Sequence, residues 1–434
     1  MYSIEVLKHY ITLKHSNIKS LKHCNIEALK HCLTLKHCNI KALNHYVTLK
    51  HYATLKYCNI EALKHCITLV ICIIIGIFDC SANNDIEISL LTCSPGTEIH
   101  SHFGHTGLRV NDKANRKDIV YNFGLFDYNT PNFAFRFIKG RLEYKLGIQK
   151  TSSFVRQYDY EQRAVYEQKL NLNSASKKRI LDRLEFLYLP ENRYYLYSFI
   201  KKNCSTEVRD LIFANDVQFE NKPTGKSARD LINSYLKNNQ WMRFGTNLIQ
   251  GKFIDQELDV HQTMFLPDYL YNVAAVAQYD GNNLVKEDLP LNNVPKPVSG
   301  SNFFSPLVIF SIIALLLFIK KLRPLRYFLY TLFGITGIIL LWLWFFSDHP
   351  ELKNNFNLLW CNPLYLLYIP LAISKKQNKV YVICMIAFLL IALLVWILNI
   401  QVFDIAVLPI LIILLFFNGL ELLPTSKPQK IKKP

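Results

Sequence analysis

The chain has 434 residues, with 50 lysines and arginines against 33 aspartates and glutamates, and a formal net charge of +17. This length accommodates one domain of ordinary size together with a membrane portion. Strand and helix patterns do not alternate regularly and no glycine-rich phosphate loop occurs, which excludes a dinucleotide-binding fold.

Residues 1–65 form a low-complexity tract in which Leu-Lys-His units recur, as in residues 21–32. The units are too short and too poor in turn residues for the known solenoid repeats. We expect the tract to be mistranslated upstream sequence or disordered, although its cysteines and histidines leave a metal-binding module as the alternative. No Met occurs between Met1 and Met242, so mistranslation requires an alternative initiation codon.

Residues 66–82 predict an export signal. Lys64 precedes the short apolar run 67–78, which ends near the small residues Ser81 and Ala82. Asp79 departs from a clean cleavage site, so an uncleaved anchor is the alternative. In either case the residues that follow are expected on the external side of the membrane.

Residues 83–290 predict an α+β domain. β-Branched and aromatic residues indicate strands at 86–92, 107–110, 119–123 and 142–148. An amphipathic pattern indicates a helix at 176–189, with further helices at 204–213 and near 227–237. The order of these elements is that of a mixed fold, and we expect this domain to carry the catalytic site.

Two residues in this domain have the local setting of a thiol catalyst. His105 lies in a predicted strand with glycines on either side, which lets another segment approach closely. Cys204 follows Asn203, a good N-cap, so it falls on the first turn of a helix, where free N–H groups and the helix dipole favour thiolate. The alternative for this cysteine is a disulfide with Cys93, since only these two cysteines of the exported domain meet oxidising conditions.

A third group is expected to orient the imidazole of His105. Asn122 is the first candidate because its strand can pair beside that of His105, and Asp127 is the second. For both residues the alternative is a turn or strand-end position that satisfies local backbone. His100 and His102 lie outside any clear strand and are interpreted as exposed loop histidines.

After a linker at 291–302, residues 303–420 predict an all-α bundle of about five membrane spans. The third span is the weakest, because it contains Asn357, Asn362 and two prolines. Basic residues occupy the turns at 320–326 and 374–379 and the tail at 421–434, whereas the turns at 347–355 and 399–401 are not basic. By the positive-inside rule the C-terminus is cytoplasmic. The spans are expected at 303–319, 327–346, 356–373, 380–400 and 402–420.

Polar side chains gather at the external end of two of these spans. Asp348, His349, Asn355, Asn357 and Asn362 lie there. Polar groups at such depth are costly and tend to be functional. We expect these residues either to position lipid head groups or a substrate N-terminus, or to cap helices and bond between them.

Ordered motifs along the chain resemble those of the Lnb lipoprotein N-acyltransferases. The resemblance runs from residue 86 to the last span and excludes the N-terminal repeat. It rests on Leu90-Leu91-Thr92-Cys93-Ser94-Pro95-Gly96, Phe103-Gly104-His105-Thr106-Gly107-Leu108-Arg109-Val110, Val120-Tyr121-Asn122-Phe123-Gly124, Phe126-Asp127, Leu189-Pro190-Glu191-Asn192-Arg193-Tyr194-Tyr195-Leu196-Tyr197, Asn203-Cys204, Met264-Phe265-Leu266-Pro267-Asp268-Tyr269-Leu270, Asp348-His349-Pro350 and Asn357-Leu358-Leu359-Trp360-Cys361-Asn362-Pro363.

The resemblance implies a fold and a reaction. The order of histidine before cysteine is similar to the circularly permuted papain-like (NlpC-like) fold of lecithin:retinol acyltransferase and related enzymes. The implied reaction moves an acyl chain from a phospholipid donor to the N-terminal diacylglyceryl-cysteine of a lipoprotein acceptor, through a cysteine thioester. The implied location is a bacterial inner membrane with the catalytic domain in the periplasm.

The expected catalytic residues are Cys204, His105 and Asn122, and substrate contacts are expected from Asn203, Arg209, His349 and Asn362. No metal, cofactor or nucleic-acid partner is predicted. Two other functions remain open. One is an exported Cys/His amidase or peptidase acting on cell-wall peptides, and the other is a non-enzymatic membrane assembly protein.

Overall fold

A computed structural model describes residues 86–294, 304–373 and 379–423, together with residue 68. The chain divides into two units, Met1–Ala82 and Asn83–Pro434. The predictions for the repeat tract and the export signal lie outside the described residues, as do most of the linker and the tail beyond residue 423. The account below therefore concerns the second unit.

The first part of this unit is built on strands. All four strands that the sequence predicts are present, three with slightly wider bounds and the fourth shifted by one or two residues. The strands are β1 Ile86–Cys93, β2 His105–Asp112, β3 Lys117–Leu125, β4 Glu143–Lys150, β5 Val165–Leu170, β6 Tyr194–Leu196, β7 Pro223–Ser227, β8 Glu257–Asp259, β9 Gln278–Tyr279, β10 Asn282–Asn283 and β11 Val285–Pro290. Seven of them form an antiparallel sheet in the order β11-β5-β1-β2-β3-β4-β6, and the pairs β7-β8 and β9-β10 stand apart. In this sheet β2, which begins at His105, pairs with β3, which contains Asn122.

Helices follow several of these strands. The predicted helices at 176–189, 204–213 and 227–237 are confirmed, whereas the other helices of this domain were not predicted from the sequence. The helices are α1 Phe133–Lys139, α2 Thr151–Tyr160, α3 Ser174–Tyr188, α4 Cys204–Phe213, α5 Ala228–Tyr235, α6 Gln240–Ile249, α7 Val260–Thr263 and α8 Pro267–Val276. The arrangement is a mixed, sheet-rich α/β domain.

The core of this domain lies on both faces of the sheet. On one face Leu90 and Leu108 pack against Leu184 of α3 and Val208 of α4, all essentially without exposed surface. On the other face Leu91, Cys93 and Val120 pack against Phe154 of α2. Truncating one such leucine to alanine costs about 2–5 kcal/mol. α4 is therefore held firmly against the sheet, with its first turn beside β2 and β3.

The second part of the unit is helical. Its helices are α9 Pro306–Phe318, α10 Leu325–Phe346, α11 Tyr365–Ile373, α12 Lys379–Ile397 and α13 Val407–Leu422. Two of them, α10 and α12, are long and apolar enough to cross a membrane. Their 22 and 19 residues correspond to about 33 and 29 Å, close to the ~30 Å of a hydrocarbon core. The other three helices are shorter.

The third predicted span is wrong as a continuous helix. A 3-10 helix covers Phe356–Leu359, and the non-helical residues 360–364 separate it from α11, which has only nine residues and contains Pro370. Pro363 lies within this break, and because proline supplies no N–H and clashes with the preceding helical turn, a helix that begins at Phe356 does not continue through it. The amide of Asn357 donates instead to the carbonyls of Asn247 and Leu248, in the sheet-rich domain.

Polar contacts join the helical part to the sheet-rich domain. Arg141 pairs with Asp348 at 2.7 Å, and Arg243 pairs with Asp404 at 2.9 Å. The carboxylate of Asp404 is buried and also accepts from the amide of Asn247. A buried carboxylate paired and hydrogen-bonded in this way is costly to leave without its partners. The turns before the 3-10 helix and before α13 therefore both face the sheet-rich domain.

Candidate active site

Cys204 is placed by a complete helix cap. The side-chain oxygen of Asn203 accepts from the backbone N–H groups of Ser205 and Thr206 at 2.8 and 2.9 Å. In return, the N–H of Asn203 donates to the Thr206 hydroxyl at 2.8 Å. This reciprocal pattern is a capping box. It fixes Cys204 as the first residue of α4, as the sequence predicts, where the helix dipole stabilises a negative sulfur.

The other half of the Asn203 amide is also engaged. Its nitrogen donates to the carbonyls of Phe199 and Phe265 at 2.6 and 2.8 Å, and the residue is buried. Both ends of the amide are thus bonded inside the protein. Asn203 therefore holds the start of α4, and its contact with substrate stays a prediction.

His105 is the first residue of β2 and lies against Cys204. Its Nε2 is 2.7 Å from the side-chain oxygen of Asn122 on β3, and its ring makes a side-chain hydrogen bond with Cys204. Because an amide oxygen only accepts, Nε2 carries the proton of the first bond. The nitrogen left for the thiol is Nδ1. The three predicted catalytic residues are therefore together, linked in the order Cys204, His105, Asn122.

The surroundings favour an ion pair between the cysteine and the histidine. Burial alone raises the pKa of Cys204, but the charge and hydrogen bond of His105 and the backbone N–H groups of Thr106 and Ser205 outweigh it, so the pKa is lowered. Burial alone lowers the pKa of His105, but the Cys204 thiolate and the Asn122 hydrogen bond outweigh it, so that pKa is raised. Opposite shifts of this kind favour transfer of the thiol proton to the imidazole.

The second cysteine of the domain has a different environment. Cys93 lies opposite His105 in the β1-β2 register and is fully buried. Burial raises the pKa of its thiol, which keeps it protonated. Cys93 and Cys204 are both free, so the alternative of a disulfide between them is wrong. Their surroundings leave Cys204 as the reactive thiol of the pair.

Two residues that the sequence analysis gave no role complete the surroundings of the thiol. Gly124 on β3 has φ +89°, and a Cβ added to it would lie 3.8 Å from the Cys204 Cβ and 3.9 Å from the Tyr195 hydroxyl. Tyr195 lies on β6, at the edge of the sheet. Tyr194 and Leu196 of this strand are exposed while Tyr195 is not, although residues 194–197 are all aromatic or apolar and the sequence alone does not single out Tyr195.

The alternative histidines and the alternative third residue lie apart from this arrangement. Asp127 is exposed and accepts from the N–H of Asn129 in a turn. His102 is bonded through Nδ1 to the carbonyl of Glu98, and His100 is exposed in a short 3-10 helix. These contacts agree with the interpretation of Asp127 as a turn residue and of His100 and His102 as loop histidines.

Three predicted substrate-binding residues are also engaged elsewhere. Arg209 pairs with Asp210 and donates to the carbonyl of His261. His349 donates through Nε2 to the carbonyl of Phe137, and the Asn362 side chain accepts from the N–H of Leu364. The structure thus gives these side chains connecting or capping contacts within the protein, and their substrate contacts stay predictions.

Two family models match the chain in sequence. The Lnb N-terminal periplasmic domain matches residues 79–237, and the Lnb transmembrane domain matches residues 293–428. No curated protein and no solved structure matches it. The first match contains Cys204, His105 and Asn122, and the second contains all five helices of the helical part, so the protein is an inner-membrane protein with a periplasmic N-terminal domain. The chain belongs to the Lnb-type lipoprotein N-acyltransferase family.

Proposed function

We propose that the protein transfers an acyl chain from a phospholipid to the N-terminal α-amine of diacylglyceryl-cysteine on lipoproteins, through a thioester on Cys204. The observation that carries the proposal is the linked arrangement of Cys204, His105 and Asn122 at the start of a capped helix. A thiolate beside an imidazolium is a nucleophile suited to attack on an ester. Membership of the Lnb family supports the choice of substrates.

The first half-reaction forms the thioester. The Cys204 thiolate attacks the carbonyl carbon of a phospholipid ester, and the oxyanion that develops accepts from the Cys204 N–H, which lacks a partner within the helix because it lies in the first turn. One such donor contributes about 3 kcal/mol. When the intermediate collapses, the imidazolium of His105 gives its proton to the departing glycerol oxygen, and a lysophospholipid leaves.

The second half-reaction uses the histidine in reverse. His105, now neutral, takes a proton from the α-amine of the lipoprotein as that amine attacks the thioester carbonyl. The C–N bond forms, the C–S bond breaks, and the product is an amide with Cys204 released. Asn122 holds the imidazole so that the same nitrogen faces the sulfur in both steps. The order of His105 on a strand before Cys204 on a helix fits a permuted papain-like arrangement, which we propose for this domain.

The position of α1 supports a donor taken from the bilayer. The Phe135 and Phe137 rings of α1 are 53% and 48% exposed, and the carbonyls of Ile138 and Lys139 accept from Ser347 and Asp348 at the end of α10. The Phe135 ring also lies 5.9 Å from Trp342, four residues or about 6 Å before the last residue of α10. Lipid at the outer boundary of the membrane covers these rings, which are costly to leave in water.

The contacts between the two parts support the proposed orientation. The N–H of the Trp241 ring donates to the carbonyl of Phe304, just before α9, while Asp348 and Asp404 pair with the same domain. Three chain positions, before α9, after α10 and before α13, thus share the periplasmic side. The α12 helix ends near the last of them, so the chain traverses five times even though its third passage is broken. We therefore propose a cytoplasmic C-terminus and five passages.

Mass spectrometry of lipoprotein N-termini tests this function. Cells with the protein are expected to carry an amide-linked acyl chain on the terminal cysteine, and a Cys204→Ser variant is expected to lack it. Cys384→Ser is the matched control, because Cys384 is exposed on α12. Normal N-acylation in Cys204→Ser contradicts the proposal. Altered cell-wall peptides with unchanged lipoproteins indicate the amidase instead, and a phenotype independent of Cys204 indicates an assembly protein.

A further inference from the structure

The hydroxyl of Tyr195 is buried in the catalytic domain and has no hydrogen-bond partner among the described residues. A buried hydroxyl without a partner loses its bonds to water and gains none, so it is a cost to the fold unless something else accepts from it. Burial, followed by the charge on Cys204, raises the pKa of this hydroxyl, which keeps it protonated and able to donate.

The Tyr195 hydroxyl and Cys204 both lie beside Gly124 of β3. A carbon placed as a Cβ on Gly124 meets only the Cys204 Cβ, at 3.8 Å, and the Tyr195 hydroxyl, at 3.9 Å, within 4 Å in the described part of the chain. Both distances are ordinary van der Waals contacts. A side chain at Gly124 would thus lie against both the nucleophile and the unpartnered donor, and glycine keeps the region between them clear of one.

The ring is held in one orientation by its neighbours. Tyr195 pairs with Tyr144 across the β4-β6 ladder, and the ammonium of Lys202 lies 5.2 Å from the ring centroid. The ring also packs against the main core of the domain, as Cys204 does. A donor that is fixed before the reaction stabilises developing charge without the cost of reorganisation.

We propose that the Tyr195 hydroxyl donates to the oxyanion formed when the Cys204 thiolate attacks an acyl ester. This inference rests on the proposed function and adds a catalytic residue to it. As the C–S bond forms, the electron pair of the carbonyl moves to oxygen, which accepts from Tyr195 and from the Cys204 N–H. As the pair returns, the C–O bond breaks and the glycerol oxygen takes the proton of His105. Tyr195 keeps its own proton throughout.

The test is single-turnover thioester formation by the full-length protein in lipid nanodiscs that contain phosphatidylethanolamine, without acceptor. Tyr195→Phe is expected to slow the step by about 10²–10³-fold, the range for loss of one oxyanion donor, with little change in apparent affinity for the lipid. Because the hydroxyl has no partner in the resting protein, the melting temperature is expected to stay the same or rise. Tyr194→Phe is the matched control, since Tyr194 is exposed on the same strand.

Two results overturn the inference. One is a Tyr195→Phe rate equal to that of the Tyr194→Phe control, and the other is a lowered melting temperature with a rate loss that disappears when only folded protein is counted, which indicates a structural hydroxyl. Failure of the proposed function has a different signature, because Cys204→Ser then retains acyl transfer. A rate loss with unchanged stability supports the inference.

Discussion

Removal of the Asn122 side chain isolates the contribution of the group that orients His105. Asn122→Ala deletes the 2.7 Å bond to Nε2 of the imidazole and leaves that N–H without its acceptor. A hydrogen bond to a charged group contributes about 1.5–3 kcal/mol. Each 1.36 kcal/mol is tenfold in rate, so thioester formation is expected to slow by about 10- to 150-fold.

The pH dependence of the same variant gives a second readout. The reactive ion pair exists between the lowered pKa of Cys204 and the raised pKa of His105, so the rate rises with pH through the first and falls through the second. The Asn122 bond is one of the causes that raise the pKa of His105. In Asn122→Ala the alkaline limb is therefore expected to move to lower pH, while the acid limb remains set by Cys204.

The assay is single-turnover thioester formation across a pH series, with Asn122→Asp as the control. A carboxylate accepts the same bond and adds a negative charge, so Asn122→Asp is expected to recover most of the lost rate and to move the alkaline limb to higher pH. A rate for Asn122→Ala within about 3-fold of the native protein, together with an unmoved alkaline limb, refutes the assigned role of Asn122.

Two further predictions concern the membrane. A benzophenone amino acid at Phe135 is expected to crosslink to phospholipid in nanodiscs on irradiation, because α1 lies at the end of α10, whereas the same group at Tyr160, 90% exposed on α2, is expected not to. Equal lipid capture at both positions contradicts the membrane-facing assignment of α1. Reporter fusions test the topology. Cytoplasmic signals are expected at Lys376 and Lys427, and periplasmic signals at Lys353 and Asn247. A signal from the opposite side at any of these four positions contradicts the five passages.

The parts of the site that depend on local chain were predictable. The cap on α4 needs only Asn203 and the two residues after Cys204, and it forms where the sequence predicts it. The pairing of His105 with Asn122 needs only that consecutive strands lie side by side, which the β2-β3 register provides. Because these contacts join residues that are close in the sequence, the cap on α4 and the pairing of His105 with Asn122 could be predicted without a structure.

The remaining parts depend on segments far apart in the chain. The amide of Asn203 donates to the carbonyl of Phe265, 62 residues away. The residues around Asn203 in the sequence do not reveal this bond. The bond from His349 to the carbonyl of Phe137, 212 residues away, is likewise not visible in the local sequence. Tyr195 reaches the thiol because β6 joins the sheet edge beside β4, which its own sequence does not indicate.

Direct detection of an acyl group on Cys204 tests the central claim most closely. The full-length protein is incubated with phosphatidylethanolamine in the absence of acceptor, and its peptides are mapped by mass spectrometry with and without hydroxylamine, which cleaves thioesters. We expect one acyl chain on the peptide containing Cys204, removed by hydroxylamine and lost on addition of a diacylglyceryl-cysteine peptide that becomes N-acylated. N-acylation of that peptide by protein that never carries an acyl group on Cys204 contradicts the account.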